Sequence, residues 1–328
     1  MSQLDAPAAI RRAAARLATT NVSSAVVLLV AIVLLVIGSI LAPGFGTPKN
    51  LLMVIGLTSF AGIVVLGQGA VMITGGIDLS VPWTFTFGAV LFSQIAGGQN
   101  VGILPALVVA FGAALVIGLA HASLIEFLRI SPLIATLASA GILQGITLWM
   151  SNGTPSAAPP RLILDLAHQD LLGVPLRMIV WIALAAIVAA IFRRTPFGRH
   201  LFAMGENRVA AETAGIGGFA VLAGAYCLSA FLAALAGVLF AGFSGMSYLG
   251  MGDEFLLPSI AACVLGGISI YGGRGTVVGL LVGALFISIL STVLTVMNFS
   301  SGAKLAATGI AILLAVALLA RAGAGESE

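Results

Sequence analysis

Charge is scarce in this chain: 8% of its 328 residues are Asp, Glu, Lys or Arg, against 60% hydrophobic. Soluble domains carry roughly a quarter charged residues, so most of this surface must face lipid or neighbouring protein. Cysteine is nearly absent as well. Cys227 and Cys263 fall inside apolar runs with no CxxC or Cys/His cluster nearby, and read as small core residues. His121, His168 and His200 are far apart and show no ligand spacing, so no metal site is expected. There is no phosphate-cradling GxxxxGK[ST], no nucleophile elbow and no HExxH. Nothing here could hydrolyse ATP unaided, and the chain is expected to have no catalytic site and no cofactor of its own. A net charge of +3 is too small to argue for nucleic acid.

What the chain does have is long apolar runs and 41 glycines, which suit helices packed closely within a bilayer. Residues 22–42 could cross a membrane alone, and their apolar core is longer than a signal peptide's. Further spans are expected near 51–74, 83–96, 103–124, 132–150, 178–192, 217–246, 255–270, 276–297 and 304–320. The run at 217–246 is long enough to tilt or contain a break. The expected fold is therefore an all-α polytopic membrane protein of about ten helices, some broken. The proline-rich stretch 151–177 reads as an extramembrane loop. With the N-terminus in the cytoplasm, ten of the 14 basic residues fall inside, and only Lys49, Arg161, Arg177 and Lys304 fall outside. That asymmetry predicts both termini in the cytoplasm, with 151–177 on the opposite face. The domain plan is a short basic segment at 1–21, one membrane domain at 22–321 and a tail at 322–328.

Residues 192–216 are the only long polar interruption between apolar runs, and hold six charged residues: Arg193, Arg194, Arg199, Glu206, Arg208 and Glu212. Turn signals divide this stretch into two short helices. Pro196 and Gly198 punctuate the first, Asn207 is a good N-cap for the second, and Gly215 suits the position just past its end. A compact basic helical pair is a natural docking surface for a soluble partner; a plain solvated loop that only fixes orientation is the alternative.

Asp78, in TGGIDLSVP, is the only carboxyl group between Lys49 and Glu126. Such a group costs at least about 2.5 kcal/mol at the bilayer centre, which makes it a candidate for function. The structural expectation is that Gly75-Gly76 breaks one helix and Asp78 or Ser80 caps the next, with Pro82 in its first turn. A second break is expected at Gly266-Gly267, followed by Ser269 and the turn at 271–275. The two GGI triplets, at 75–77 and 266–268, suggest an internal repeat. Broken helices are tolerated where they line a cavity, so Gly75, Gly76, Asp78, Ser80, Gly266, Gly267 and Ser269 are the candidate path residues. Gly275, Gly279 and Gly283 form a stripe that suits tight helix packing. Glu126 and Arg129 are close enough to form a local pair.

Four blocks together carry a resemblance: ITGGIDLSV at 73–81, LRISPLIATL at 128–137, GRHLFAMGENRVAAETAGI at 198–216 and VLGGISIYGGRGTVVGLLVGAL at 264–285. In this order they resemble the membrane-spanning permeases of bacterial ABC importers for monosaccharides, of the ribose, xylose, galactose and autoinducer-2 type. The resemblance implies that Gly198, Arg199, Gly205, Asn207, Arg208, Ala210, Ala211, Gly215 and Ile216 belong to a coupling segment that contacts an ATPase subunit. It also implies a second permease chain, a periplasmic sugar-binding protein, and cytoplasmic ATPase domains that hold the ATP and Mg2+. The family usually has glycine where Pro82 stands, and Asn-Gly near His121-Ala122. The function expected is therefore the sugar pathway of an ATP-driven importer in the bacterial cytoplasmic membrane. An ATP-independent carrier or facilitator is the alternative, and a membrane scaffold is a third reading. Apart from Asp78 the spans hold few carboxyl groups to relay a coupling ion, which disfavours the carrier.

Overall fold

The structure, a computed structural model, describes residues 25–41, 44–154 and 158–324, with side chains as far as residue 313. The basic segment at 1–21, the first residues of the expected first span and the last residues of the tail lie outside the described residues.

Apolar sequence and terminal punctuation set the elements. Helix α1 is Ala25–Leu41. Thr47 caps α2 (Pro48–Ile73) by accepting from the Asn50 N–H, and Pro48 occupies the first helical position, where its missing N–H costs nothing. Then come α3 (Val81–Ala96), α4 (Ile103–Glu126, entered through a 3-10 turn), α5 (Pro132–Ser151), α6 (Arg161–His168) and α7 (Leu176–Arg194). Two short helices, α8 (Pro196–Glu206) and α9 (Arg208–Thr213), precede α10 (Gly218–Ser244), α11 (Leu256–Leu265), α12 (Val277–Val296) and α13 (Ser301–Ala324). Among the described residues six helices, α2, α4, α5, α7, α10 and α12, are long and apolar enough to cross a membrane, and α1, α3 and Ser301–Leu313 of α13 are shorter apolar helices.

Helix α10 is unbroken and is the hub, packed against α2, α3 and α4. Small residues set the approach: Gly67 of α2 meets the Ser229 backbone, Gly88 of α3 meets Ala234, and Gly118 of α4 meets Cys227. The glycine stripe on α12 packs within the chain, with Gly279 and Gly283 facing the Gly266 and Ala262 carbonyls of α11.

Residues 158–177, the described part of the expected loop after residue 154, are more ordered than their composition suggests. They contain α6, entered through Pro160, and a hairpin of β1 (Asp170–Leu171) and β2 (Val174–Pro175), with Asp170 opposite Pro175. Leu172 and Gly173 turn the hairpin with φ of 53° and 81°, a turn that needs two left-handed residues. Two-residue strands leave almost no periodic signal, and a leucine in that turn gives no warning of it.

Candidate functional site

The polar stretch folds as its turn signals predict. Thr195 caps α8 by accepting from the Gly198 N–H at 3.3 Å, with Pro196 at the first helical position. Asn207 caps α9 by accepting from the Ala210 N–H at 3.0 Å. Gly215, at φ 85°, donates to the Glu212 carbonyl, and Ile216 donates to that of Ala211, a paired closure that satisfies the last carbonyls of α9. Arg199 and Ala210 face outward, whereas Ala211 and Gly198 are buried, Gly198 against the Phe192 backbone. Replacing Asn207 by alanine should cost about 1 kcal/mol through the lost cap. Faster amide exchange confined to 208–213 would register it, and unchanged exchange there would count against the cap.

Glu126, at the end of α4, pairs with Arg208 of α9 and not with its sequence neighbour Arg129. Arg129 sits in the left-handed region at φ 54°, in the turn that carries the chain from α4 to α5. The Glu126 carboxyl also lies where a side chain at Gly218 would stand. Arg208 donates from Nε to Glu212 at 2.8 Å as well, so one guanidinium ties α9 to itself and to α4. Burial alone would lower the Arg208 pKa, but its hydrogen bonds to Glu212 and Glu126 and their charges raise it on balance.

The other end of α8 meets the membrane helices through backbone. A β-carbon at Gly205 would overlap the Ile73 carbonyl oxygen, the last of α2, and the Gly273 nitrogen. Gly273 itself donates to that Ile73 carbonyl at 2.9 Å. Gly273 belongs to the turn between α11 and α12, which Ser269 holds: its N–H donates to the Arg274 carbonyl and its hydroxyl accepts from the Tyr271 N–H at 3.2 Å. Arg274 lies 3.9 Å from Glu206. Three chain segments far apart in sequence thus meet at one point without an intervening side chain.

That point is the start of the first helix break. Gly75, at φ 84°, donates to the Met72 carbonyl and Gly76 to that of Val71. Gly267, also at φ 84°, closes α11 by the same paired bonds, from Gly267 to Val264 and from Ile268 to Cys263. Both Gly-Gly pairs therefore end helices, but the GGI triplets are out of register by one residue. The first glycine of the first triplet and the second glycine of the second take the left-handed position.

After Gly76 the chain runs back alongside α2. With its amide turned to match donor with acceptor, Gln68 donates to the Asp78 carbonyl at 3.2 Å and accepts from the Asp78 N–H at 3.3 Å. Because Gln68 lies five residues before the end of α2, Asp78 is held about 8 Å inside that end. The freed backbone is met by a side chain: the Thr136 hydroxyl of α5 accepts from the Leu79 N–H at 3.1 Å, and its own proton is shared between the Pro132 carbonyl at 2.9 Å and the Ile77 carbonyl at 3.3 Å. Irregular backbone at this depth survives only with such partners.

Asp78 is 1% exposed, and it is a tie between segments more than a helix cap. Ser80 occupies the N-cap position of α3 but makes no side-chain capping bond. Instead Asp78 Oδ1 accepts from the Ser80 N–H at 2.9 Å and hydroxyl at 2.6 Å, and Oδ2 accepts from the Ser229 hydroxyl of α10 at 2.8 Å. The capping expectation fails: neither Asp78 nor Ser80 makes a capping bond to an N–H of α3, because both oxygens of the carboxyl are engaged by Ser80 and by Ser229 of α10. Two residues unsuspected from sequence complete this buried polar group. His121 of α4 and Tyr226 of α10 stack edge to face at 5.6 Å, and the Tyr226 hydroxyl crowds Gly76. Neither the His121 nitrogens nor the Tyr226 hydroxyl has a hydrogen-bond partner among the described residues. A single histidine and a single tyrosine in apolar runs gave no signal of this meeting. No group of three metal-binding side chains occurs among the described residues.

An almost wholly helical chain of long apolar helices, with a broken helix satisfied from within and a capped polar helix pair packed at the break, has the architecture of a multi-pass transport permease. Comparison with known proteins agrees: the chain belongs to the family described as branched-chain amino acid transport system / permease component, which it matches over residues 50–320. It is 35% identical over 293 residues to the ribose import permease protein RbsC of Bacillus subtilis (strain 168), covering 87% of this chain and 89% of the relative. It is 34% identical to RbsC of Escherichia coli (strain K12), over 88% of this chain and 91% of the relative. The autoinducer 2 import system permease protein LsrC of Shigella flexneri is 32% identical, over 83% of this chain and 79% of the relative.

Proposed function

We propose that this chain is the permease subunit of an ATP-driven importer in the bacterial cytoplasmic membrane, and that it forms the path for a sugar. The ribose and autoinducer-2 import permeases among its relatives support a small polyhydroxylated solute. In this reading the chain has no catalytic site. ATP and Mg2+ are bound by a partner ATPase docked on α8 and α9, a periplasmic binding protein delivers the solute, and a second permease chain completes the path. The chain crosses the membrane ten times, through α1–α5, α7 and α10–α13, with both termini in the cytoplasm. The half-length α11 and the late start of α3 are then the broken crossings.

The observation that carries the reading is the backbone junction of Gly205, Ile73 and Gly273, because it joins the outward-facing helix pair to the break that holds Asp78. A push on α8 toward the junction must displace the Ile73 carbonyl or the Gly273 amide. Binding or hydrolysis of ATP in the partner would move α8, and with it residues 74–80.

Arg199 is the clean probe of docking, since its side chain faces outward, whereas Arg208 is held by Glu126 and Glu212. In proteoliposomes with the cognate ATPase and binding protein, Arg199→Glu should weaken ATPase binding about tenfold and reduce uptake in proportion. Glu126→Gln should leave docking near wild type while loosening α9. If Arg199→Glu binds the ATPase normally and transports normally, this surface is not the docking face. Uptake by the chain alone, without ATP, would replace the importer with a carrier.

A further inference from the structure

Two basic residues from distant parts of the chain meet on the face opposite to α8 and α9. Lys49, at the start of α2, and Arg177, at the start of α7, line one cavity of about 590 Å3, with Asn50, Met53, Asp170 and Pro175 also in its walls. Only four of the 14 basic residues are assigned to that face from sequence, and half of them converge here.

Arg177 is 8% exposed, an unusual burial for a guanidinium at a helix start. Its Nη1 donates to the Ala167 carbonyl of α6 at 2.9 Å, and its Cζ lies 5.1 Å from the centre of the Phe243 ring. Its Nε, pressed against Gly56, has no acceptor among the described residues. That packing closes off Nε, but a guanidinium carries five N–H groups and among the described residues one acceptor, the Ala167 carbonyl, is matched to this one, so donor capacity remains for a group in the cavity that Arg177 lines. Lys49 and Asp170 are exposed at the same cavity, as is Met53 at 55%, which gives the rim an apolar side.

We infer that this cavity binds the headgroup of a zwitterionic phospholipid, with the phosphate between Arg177 and Lys49 and the ammonium beside Asp170. The starts of spanning helices lie at headgroup depth, basic pockets between such helices suit lipid phosphates, and the volume is that of an ordinary ligand pocket. Two cations with one carboxyl group complement a phosphate joined to an amine better than they complement a purely anionic headgroup. Glycerol and the first acyl carbons would run along Met53 and Pro175.

The test is native mass spectrometry of the full chain extracted from nanodiscs of equal phosphatidylethanolamine, phosphatidylglycerol and phosphatidylcholine. Wild type should retain phosphatidylethanolamine preferentially. Arg177→Gln should lower retention about tenfold or more, but it also removes the bond to Ala167 and can disturb the fold. Lys49→Gln and Asp170→Asn, at exposed positions, therefore decide the matter. The first should lower retention of all three lipids several-fold, and the second should abolish the preference for phosphatidylethanolamine over phosphatidylglycerol. Wild-type occupancy and preference in both variants would overturn the proposal. Emptying of the site by millimolar inorganic phosphate would reassign it to the free anion and overturn the lipid.

Discussion

Gly205→Ala should abolish transport nearly completely, with uptake at least about tenfold below wild type, although one methyl group is all that is added. The methyl would have to enter space held by the Ile73 carbonyl on one side and the Gly273 nitrogen on the other. Overpacking ordinarily costs 1–3 kcal/mol because side chains give way, and backbone gives way less. Here the yielding elements would be the end of α2 and the turn after α11, both closed by paired backbone hydrogen bonds. The expected result is a chain that inserts and still binds its ATPase, but whose ATP hydrolysis no longer responds to the loaded binding protein. Gly141→Ala, on α5 where an added β-carbon meets nothing within 4 Å, is the matched control and should leave the response intact. Equal activity of Gly205→Ala and wild type would show that the junction is not the transmission point.

Asp78→Ala should be the most destabilising single change at the helix break, by about 3–5 kcal/mol. It removes the acceptor for the buried Ser80 N–H and hydroxyl, and for the Ser229 hydroxyl. Asp78→Asn keeps the shape and one oxygen, and its amide can donate to Ser229, so it should cost only about 1–2 kcal/mol. Thermal unfolding in detergent, followed beside uptake, separates structure from chemistry. If Asp78 is a structural tie, loss of uptake should track loss of stability through the series from Asp to Asn to Ala. An Asn variant as stable as wild type that cannot transport would instead make the carboxyl group a participant in solute or ion passage.

The local grammar of the chain was legible where short-range rules act alone. Asn207 and Gly215 bound α9 as their residue types predict, because a cap needs only its own first or last turn. The glycine stripe was legible as a packing face, and its partner proved to be the neighbouring α11. What sequence could not give was any pairing across distance. Glu126 looked nearest to Arg129, yet its partner lies 82 residues on, since the left-handed turn at Arg129 carries that residue away. Asp78 looked like a cap because Ser80 and Pro82 follow it; its bond to Ser229 depends on α10 packing beside the break, 151 residues later. The repeated GGI text was seen, but its one-residue offset emerges only from which glycine takes positive φ. His121 stands out only as a departure from the family pattern, and nothing local places it beside Tyr226, which it meets through the packing of α4 on α10.

The meeting of Gly205, Ile73 and Gly273 also divides labour on α8. At Gly205 that helix touches main chain, which every residue shares, and Leu201 and Met204 anchor it in the core, while Arg199 projects away from the contact. With the ATPase docked as proposed, recognition and movement are thus written on different faces. The recognising face can drift, or be exchanged to accept another motor subunit, without altering how a push is passed inward. Two importers could then trade motors by surface substitutions alone.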